Sequence, residues 1–334
     1  MKVTIKDIAE QSGVSVTTVS LILNNKEVRT SAETKRKVLE TARRLNYIPN
    51  SLAKGLITKR TNTIGFIVPD ISNMFFSQMA KSLENRLAKK GYSLFLCDTN
   101  DRDKEQAMYL QLMLSHGIDA LVLCIANDSD ASLAGLADFE ENGIPVVAFD
   151  RFADSMKCPL VATDNEVSAR AVVQHLIDCG HTDIACISGP IGRNSSSRLN
   201  GYKSALADNG IRFRAELVAE GDYRYESGYR LAKQLLAYKP TAIFACNDMM
   251  AYGVYKAVGE LGLRIPDDVS VVGFDDLMFS ETLSVALTTV GQDIDAMCDK
   301  ICSLVTEPSY ESHVNERFMF AASPVYRDSV KVLK

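Results

Sequence analysis

The chain has 334 residues, 46% hydrophobic and 24% charged, with a formal net charge of −5. That is enough apolar material for a large core and more than one domain, while no apolar run reaches the length of a membrane span. The start, MKVTIKDIAEQ, lacks the unbroken apolar stretch of a secretory leader, so a soluble protein of the cytoplasm without membrane contacts is expected.

Charge is divided unevenly. Met1–Arg60 carries 12 Lys and Arg against 5 Asp and Glu, a formal +7, and the remainder carries 25 basic against 37 acidic residues, −12. A small basic head on an acidic body directs attention to nucleic acid, although a solvated basic surface would have the same composition. The eight cysteines include no C-x-x-C and mostly interrupt apolar patterns, and the four histidines are scattered. Buried reduced thiols are expected, with no metal and no cofactor.

In chain order, Thr4 is placed to cap a first helix with Ile5, Ile8 and Ala9 at helical spacing and Asp7 in its first turn, ending near Gly13. Ser15 then caps a second helix whose apolar stripe is Val19, Ile22 and Leu23, leaving Val16, Thr17, Ser20 and Leu21 off it. Helix, tight turn and helix of this length suggest a helix-turn-helix. Ser31 caps a third, with Val38, Leu39, Ala42 and Leu45 inward and Lys35, Arg36, Lys37, Arg43 and Arg44 outward. Pro49 stops it, and Asn50 or Ser51 can cap Leu52–Ile57, too short to be a stable helix alone.

From Thr63 short apolar runs alternate with amphipathic stretches: Ile64–Val68, Leu94–Cys97, Leu121–Ile125, Val146–Phe149, Ile184–Ile187, Ala242–Cys246 and Val269–Phe274. Two such βα sets in series predict two doubly wound parallel lobes, whose ligands bind beyond the carboxyl ends of strands. The residues there are polar: Asp150 and Arg151, Asn247 and Asp248, and Asp275. Asn73, Phe75 and Phe76 follow the first run, and Arg198, Tyr223 and Gln292 fall in or after loops of the other lobe. Carboxylates, amides, guanidinium forks and aromatic faces together suit a neutral polyol. For any one of these residues a plainer role is open. Asp150, Asn247 or Asp275 can cap the next helix, Asp248 is read as such a cap, and Phe75 and Phe76 can be core.

The strings T-I-K-D-I-A-E-Q-S-G-V-S-V-T-T-V-S-L-I-L-N and L-N-Y-I-P-N-S-L-A-K-G-L resemble the headpiece of the LacI/GalR family of bacterial transcription repressors, and the resemblance extends over the body. It implies an α/β two-lobed, periplasmic-binding-protein-like body with a small all-α headpiece. The domains are then residues 1–48, a hinge over 49–61, and a body over 62–334. The first lobe is approximately 62–161 with 292–321, and the second 162–291 with 322–334. The resemblance places Val16, Thr17 and Leu21 at base-reading positions in the major groove, with Thr4, Ser20 and Asn24 beside them. Leu21 departs from the usual basic or polar residue: it cannot donate to guanine but can pack on a thymine methyl, unless it is headpiece core. Leu56 matches a hinge leucine that wedges into the minor groove and Lys54 a neighbouring contact, while Gly55 weakens that helix by about 1 kcal/mol relative to Ala.

In the body, Asn73, Phe75, Phe76, Asp150, Arg151, Arg198, Tyr223, Asn247, Asp275 and Gln292 resemble the ligand shell of ribose-binding proteins and ribose-type repressors. Met74 stands in place of a proline, and Tyr223 in place of a phenylalanine. The function implied is a homodimeric, operator-binding repressor of double-stranded, pseudo-palindromic DNA, controlled by a small sugar such as ribose. Release of DNA by sugar is expected, although purine-binding relatives respond in the opposite sense. The rivals are a purine- or phosphocarrier-controlled repressor, a transport component, and a sugar enzyme using Asp150 and Asp275. The basic head opposes transport. Against an enzyme, there is no G-x-S-x-G, H-E-x-x-H or Walker loop, and Arg151 would lower the proton affinity of Asp150. The sequence after P-V-Y-R-D-S shows no heptad repeat, so a dimer rather than a zippered tetramer is expected.

Overall fold

A computed structural model describes residues 3–24, 27–47, 60–126, 133, 135–190 and 192–333. The chain divides into two compact units, 1–61 and 62–334.

The first unit contains α1 (Ile5–Ser12), α2 (Val16–Leu23) and α3 (Ala32–Arg44). Helix α1 starts at Thr4, whose amide and hydroxyl both donate to Asp7 Oδ2, at 2.7 and 2.8 Å, and it ends at Gly13 in the left-handed conformation, φ 71°. Ser15 accepts from the Thr18 amide at 3.1 Å and Ser31 from the Thr34 amide at 3.1 Å, so α2 and α3 each begin on a hydroxyl that satisfies an otherwise orphaned donor. The core is Ile8, Ala9, Val19, Ile22, Val38 and Ala42, with Leu23, Leu39 and Leu45 packed against it. Leu21 is not part of this cluster, and α3 turns Lys35, Arg36, Lys37, Arg43 and Arg44 outward.

In the second unit the first lobe is a six-stranded, all-parallel sheet of order β11-β5-β4-β3-β1-β2. Its strands are β1 (Thr63–Val68), β2 (Ser93–Asp98), β3 (Ala120–Leu123), β4 (Val146–Phe149), β5 (Leu160–Thr163) and β11 (Arg317–Phe320). Around it lie α4 (Met74–Lys89), α5 (Asp103–Ser115), α6 (Ala137–Glu141) and α11 (Ile294–Thr306). The central strands β3 and β4 are buried throughout, as strands covered on both faces must be, whereas β2 lies at the sheet edge and leaves Leu96 37% exposed.

The second lobe carries a four-stranded parallel sheet of order β7-β6-β8-β9. It consists of β6 (Ile184–Ser188), β7 (Val218–Glu220), β8 (Ala242–Ala245) and β9 (Ser270–Val272), flanked by α7 (Asn165–Asp178), α8 (Arg193–Asp208), α9 (Tyr225–Leu236) and α10 (Asp248–Glu260). A small antiparallel pair, β10 (Thr289–Gly291) with β12 (Ser323–Val325), adjoins it. The backbone passes between lobes after β5, between β10 and α11, and between β11 and β12. Strand β5 continues to Thr163, beyond the lobe boundary expected near 161.

Strands β5, β10, β11 and β12 do not stand out as separate apolar runs in the sequence, because each is three or four residues long and includes a polar one, Thr163, Thr289, Arg317 or Ser323. Across the lobe boundary, Leu277 is buried in the first lobe's core, with Met249 and Tyr252 packed against it. All eight cysteines are free and buried. Among the described residues no helix is long and apolar enough to cross a membrane.

Candidate functional site

In the first unit, packing of α2 on α1 and α3 uses Val19 and Ile22 and so presents the opposite side of α2 to solvent. Val16 is 40% exposed, Thr17 and Asn24 are exposed, and Ser20 and Leu21 are half-buried. An apolar Val16 left open at a helix N-terminus has no packing role here, and Leu21 is outside the core. Thr4 and Asn24 are partly engaged already: the Thr4 hydroxyl belongs to the cap, and the Asn24 side-chain amide donates to the Ser20 carbonyl at 2.8 Å. Lys54, Gly55 and Leu56 lie outside the described residues.

In the body, two connected hollows of about 190 and 220 Å³ open between the lobes, both lined by Asp101, Arg151, Asp222, Tyr223 and Arg224. Asn73 and Phe76 line the first. Arg151 from the end of β4 and Arg198 from α8 both face the Tyr223 ring, their guanidinium carbons 5.9 and 5.8 Å from its centroid. Tyr223 packs against Gly189, where an added Cβ would come within 2.1 Å of the ring, so only glycine leaves room for it. Three of the expected residues, Asp150, Tyr223 and Asp275, have positive φ (58°, 64° and 119°), backbone that non-glycine residues enter at a cost of order 1–3 kcal/mol and that gathers at functional sites.

Beneath the hollows the polar groups engage one another. Arg198 donates through Nε to Asn165 Oδ1 at 2.7 Å and through Nη1 to the Cys246 carbonyl at 2.5 Å, lies over the Phe274 ring at 3.7 Å, and places Nη2 3.7 Å from Asp275 Oδ1. Gln292 Nε2 donates to Asp275 Oδ1 at 2.7 Å, and Gln292 Oε1 accepts from the Thr163 hydroxyl. Arg151 donates to Asp101 Oδ1 at 2.5 Å and to the Ala126 carbonyl at 2.9 Å. Asp150 is buried 4.0 Å from the Cys124 sulfur. Burial pushes the Asp275 carboxyl up to about 8, with Arg198 pulling it partly back.

Three residues have the plainer role, and Asn73 is one: it caps α4, accepting from the Phe75 amide at 3.1 Å, while also lining the first hollow. Asn247 caps α10, accepting from the Met250 amide at 3.0 Å, and its own amide donates to the Tyr223 carbonyl at 2.9 Å, which fixes that strained residue. Phe75 does not line the hollows: its ring stacks on Phe149 in the core, centroids 5.8 Å apart, and only Phe76 faces the cleft.

Asp248 corrects a reading made from sequence. It is not the helix cap, a place taken by Asn247; it is fully buried in the first turn. There it accepts from the Leu277 amide (2.9 Å), the Ser280 hydroxyl (2.6 Å) and the Thr289 hydroxyl (2.5 Å), and burial, opposed by these bonds, pushes it up to about 6. A carboxylate this deep is held by its donors rather than by the helix terminus.

Residues not anticipated from sequence are Asp70, Asp101, Asn165, Thr163, Asp222 and Arg224. Asp70 and Asp101 follow β1 and β2, so inspection of every strand end, applied to these two, would have found them. Asp222 and Arg224 follow β7, too short to be seen as a strand. Arg224 reaches from the second lobe to Asp70 of the first.

Comparison with known proteins matches residues 4–50 to the bacterial regulatory proteins of the lacI family, and residues 61–315 to the periplasmic binding proteins and sugar binding domain of LacI family. The chain is 36% identical to catabolite control protein A of Priestia megaterium, over 90% of this chain and 92% of that protein. It is also 36% identical to the ribose operon repressor of Halalkalibacterium halodurans, over 87% and 86%. Among solved structures, the lac repressor dimer bound to operator and an anti-inducer matches with a TM-score of 0.86 at 28% identity, over 99% of this chain and 100% of that one.

Proposed function

The chain belongs to the LacI family of bacterial regulatory proteins, and from that premise we propose that it is a non-enzymatic transcriptional repressor of the cytoplasm, whose grip on operator DNA is controlled by a monosaccharide between the two lobes. The observation that carries the effector half is the meeting of Arg151 of one lobe and Arg198 of the other on the face of Tyr223, which makes a binding site of segments far apart in sequence. In it, Asn73, Asp150, Arg151, Arg198, Asp275 and Gln292 read hydroxyls, Asn247 holds the Tyr223 backbone, and Phe76 and Tyr223 cover C–H faces with Phe75 supporting from below. In the first hollow carboxyl groups (Asp70, Asp101, Asp222, Glu226) outnumber guanidinium groups (Arg151, Arg224), which favours a neutral polyol over a phosphorylated ligand. Ribose is the first sugar to test, the relative from Halalkalibacterium halodurans being a ribose operon repressor.

The DNA half rests on α2, with Val16 and Thr17 exposed and Ser20 and Leu21 half-buried off the headpiece core, together with Thr4 and Asn24. Two copies of the chain place two such helices on a pseudo-palindromic operator, with the Lys54 and Leu56 segments pairing at its centre. Sugar binding favours a lobe arrangement in which those segments do not pair, and operator affinity falls by the sugar's preference for that state. Gel-shift titration of a genomic operator library, with and without ribose, xylose, fructose and glucose, tests both halves. Failure to select any operator removes the repressor reading, and operator binding indifferent to every sugar removes the monosaccharide.

A further inference from the structure

Arg198, Asn165, Thr163, Gln292 and Asp275 form a circuit of polar contacts at the base of the cleft, open only where Arg198 Nη2 and Asp275 face each other at 3.7 Å. Asn165 accepts from Arg198 Nε, and its amide donates to the Thr163 carbonyl at 3.2 Å and to Asn194 Oδ1 at 3.3 Å. Thr163 donates to Gln292, Gln292 donates to Asp275, and Asp275 faces Arg198 Nη2. Thr163 and Asn165 bracket the passage from β5 to α7, and Gln292 lies in the passage from β10 to α11. The circuit therefore joins two of the segments on which any movement of one lobe against the other must turn.

We propose that Asn165 is a positioning residue for the effector site, orienting Arg198 for the ligand and tying that orientation to the interlobe passages. This rests on the effector reading above. A guanidinium is planar, so fixing two of its nitrogens fixes the third. Asn165 and the Cys246 carbonyl hold Nε and Nη1, and Phe274 lies against the plane. Nη2 is left facing Asp275 at 3.7 Å, too long for a good hydrogen bond, and the guanidinium lies over Tyr223, which lines both hollows. The Asn165 amide orientation follows from chemistry: Nε–H only donates, so Oδ1 must face it and the NH2 must face the Thr163 carbonyl. A sugar that draws on Arg198 or Asp275 thereby loads Thr163 and Gln292, and with them both passages.

The test uses the full-length dimer, its operator duplex and the four sugars named above. Asn165→Ala is expected to weaken the sugar that binds by about tenfold or more while sugar-free operator affinity stays within about twofold. In the ligand-free protein it is expected to speed hydrogen exchange of the Arg198 Nε–H, followed by NMR and assigned with Arg198→Lys, by a similar factor. Asn165→Asp keeps the acceptor but not the donors. It is expected to preserve sugar affinity within about threefold yet reduce the release of operator that sugar causes. An unchanged Nε–H exchange rate in Asn165→Ala overturns the proposal, as does a loss of operator affinity as large as the loss of sugar affinity. If the wild-type protein binds none of the sugars, the effector reading fails instead, and the exchange measurement alone decides the role of Asn165.

Discussion

Arg224 spans the mouth of the cleft to Asp70, its Nε and Nη2 both on Oδ2 at 3.1 and 3.0 Å. Burial pushes the Asp70 carboxyl up, but the Ser72 hydroxyl and amide and the Arg224 guanidinium more than offset it, so Asp70 stays below the ordinary carboxylate range. Arg224 is about half exposed, so the pair contributes under about 1 kcal/mol to folding. The pair joins the two lobes across the cleft, so its loss bears on their opening. Arg224→Ala is expected to leave the melting temperature almost unchanged and to speed both entry and escape of ligand. Stopped-flow fluorescence would show this, and unaltered rates would mean the pair does not latch the cleft.

The Asp248 network is a stability element. Replacing Asp248 by Ala strands the Thr289 hydroxyl and the Leu277 amide in a dry interior and leaves the Ser280 hydroxyl with Tyr252 alone, at a cost of about 3 kcal/mol. The change is read from the urea midpoint of residues 62–334, and a loss below about 1 kcal/mol would show that these donors find other partners.

Stability should also fall with rising pH through two buried carboxyls. Asp275 and Asp248 titrate near 8 and near 6 in the folded chain, both above the ordinary carboxylate value, so the folded state holds protons the unfolded chain has released. Their contribution is complete below the ordinary value. That of Asp248 is lost by about pH 6 and that of Asp275 by about pH 8. Asp275→Asn, which cannot ionise, should flatten the slope of unfolding free energy between pH 6 and 8. An unchanged slope in that range would mean that Asp275 is already ionised there.

On the DNA side, Leu21 is expected to read a thymine methyl. Substituting uracil for thymine at the cognate operator position, which removes only that methyl, should weaken the wild type by roughly 1 kcal/mol and Leu21→Ala hardly at all. Equal losses in the two proteins, measured by competition gel shift, would place the methyl elsewhere.

How much of this was legible beforehand differs by element. The headpiece was read nearly residue by residue because each helix begins at a hydroxyl and shows a clear apolar stripe: Thr4, Ser15 and Ser31 are where the helices start, and Ile8, Val19 and Val38 are core. The long buried strands were equally plain. What escaped are relations rather than residue types. Nothing local distinguishes Asn247, which caps α10, from Asp248 next to it, which reaches Ser280 and Thr289 more than thirty positions away. Likewise Phe75 and Phe76 are neighbours in sequence, and only the packing of α4 on β4 decides that Phe75 stacks flat on Phe149 while Phe76 meets it edge-on and reaches the cleft. Asn165 looked like an ordinary residue of a helix start, since its role depends on Arg198 arriving from another helix.

The eight buried thiols give the protein an internal stopwatch. Alkylating reagents attack the thiolate, and burial both screens these sulfurs and pushes Cys124 and Cys186 far toward the unreactive thiol form. Modification at Cys124, beside Asp150, or at Cys246, whose carbonyl holds Arg198, then requires an excursion that parts the lobes or loosens a sheet. A maleimide pulse should therefore tick slowly in the resting protein, and its rate at each sulfur, resolved by mass spectrometry, would clock how often each lobe breathes.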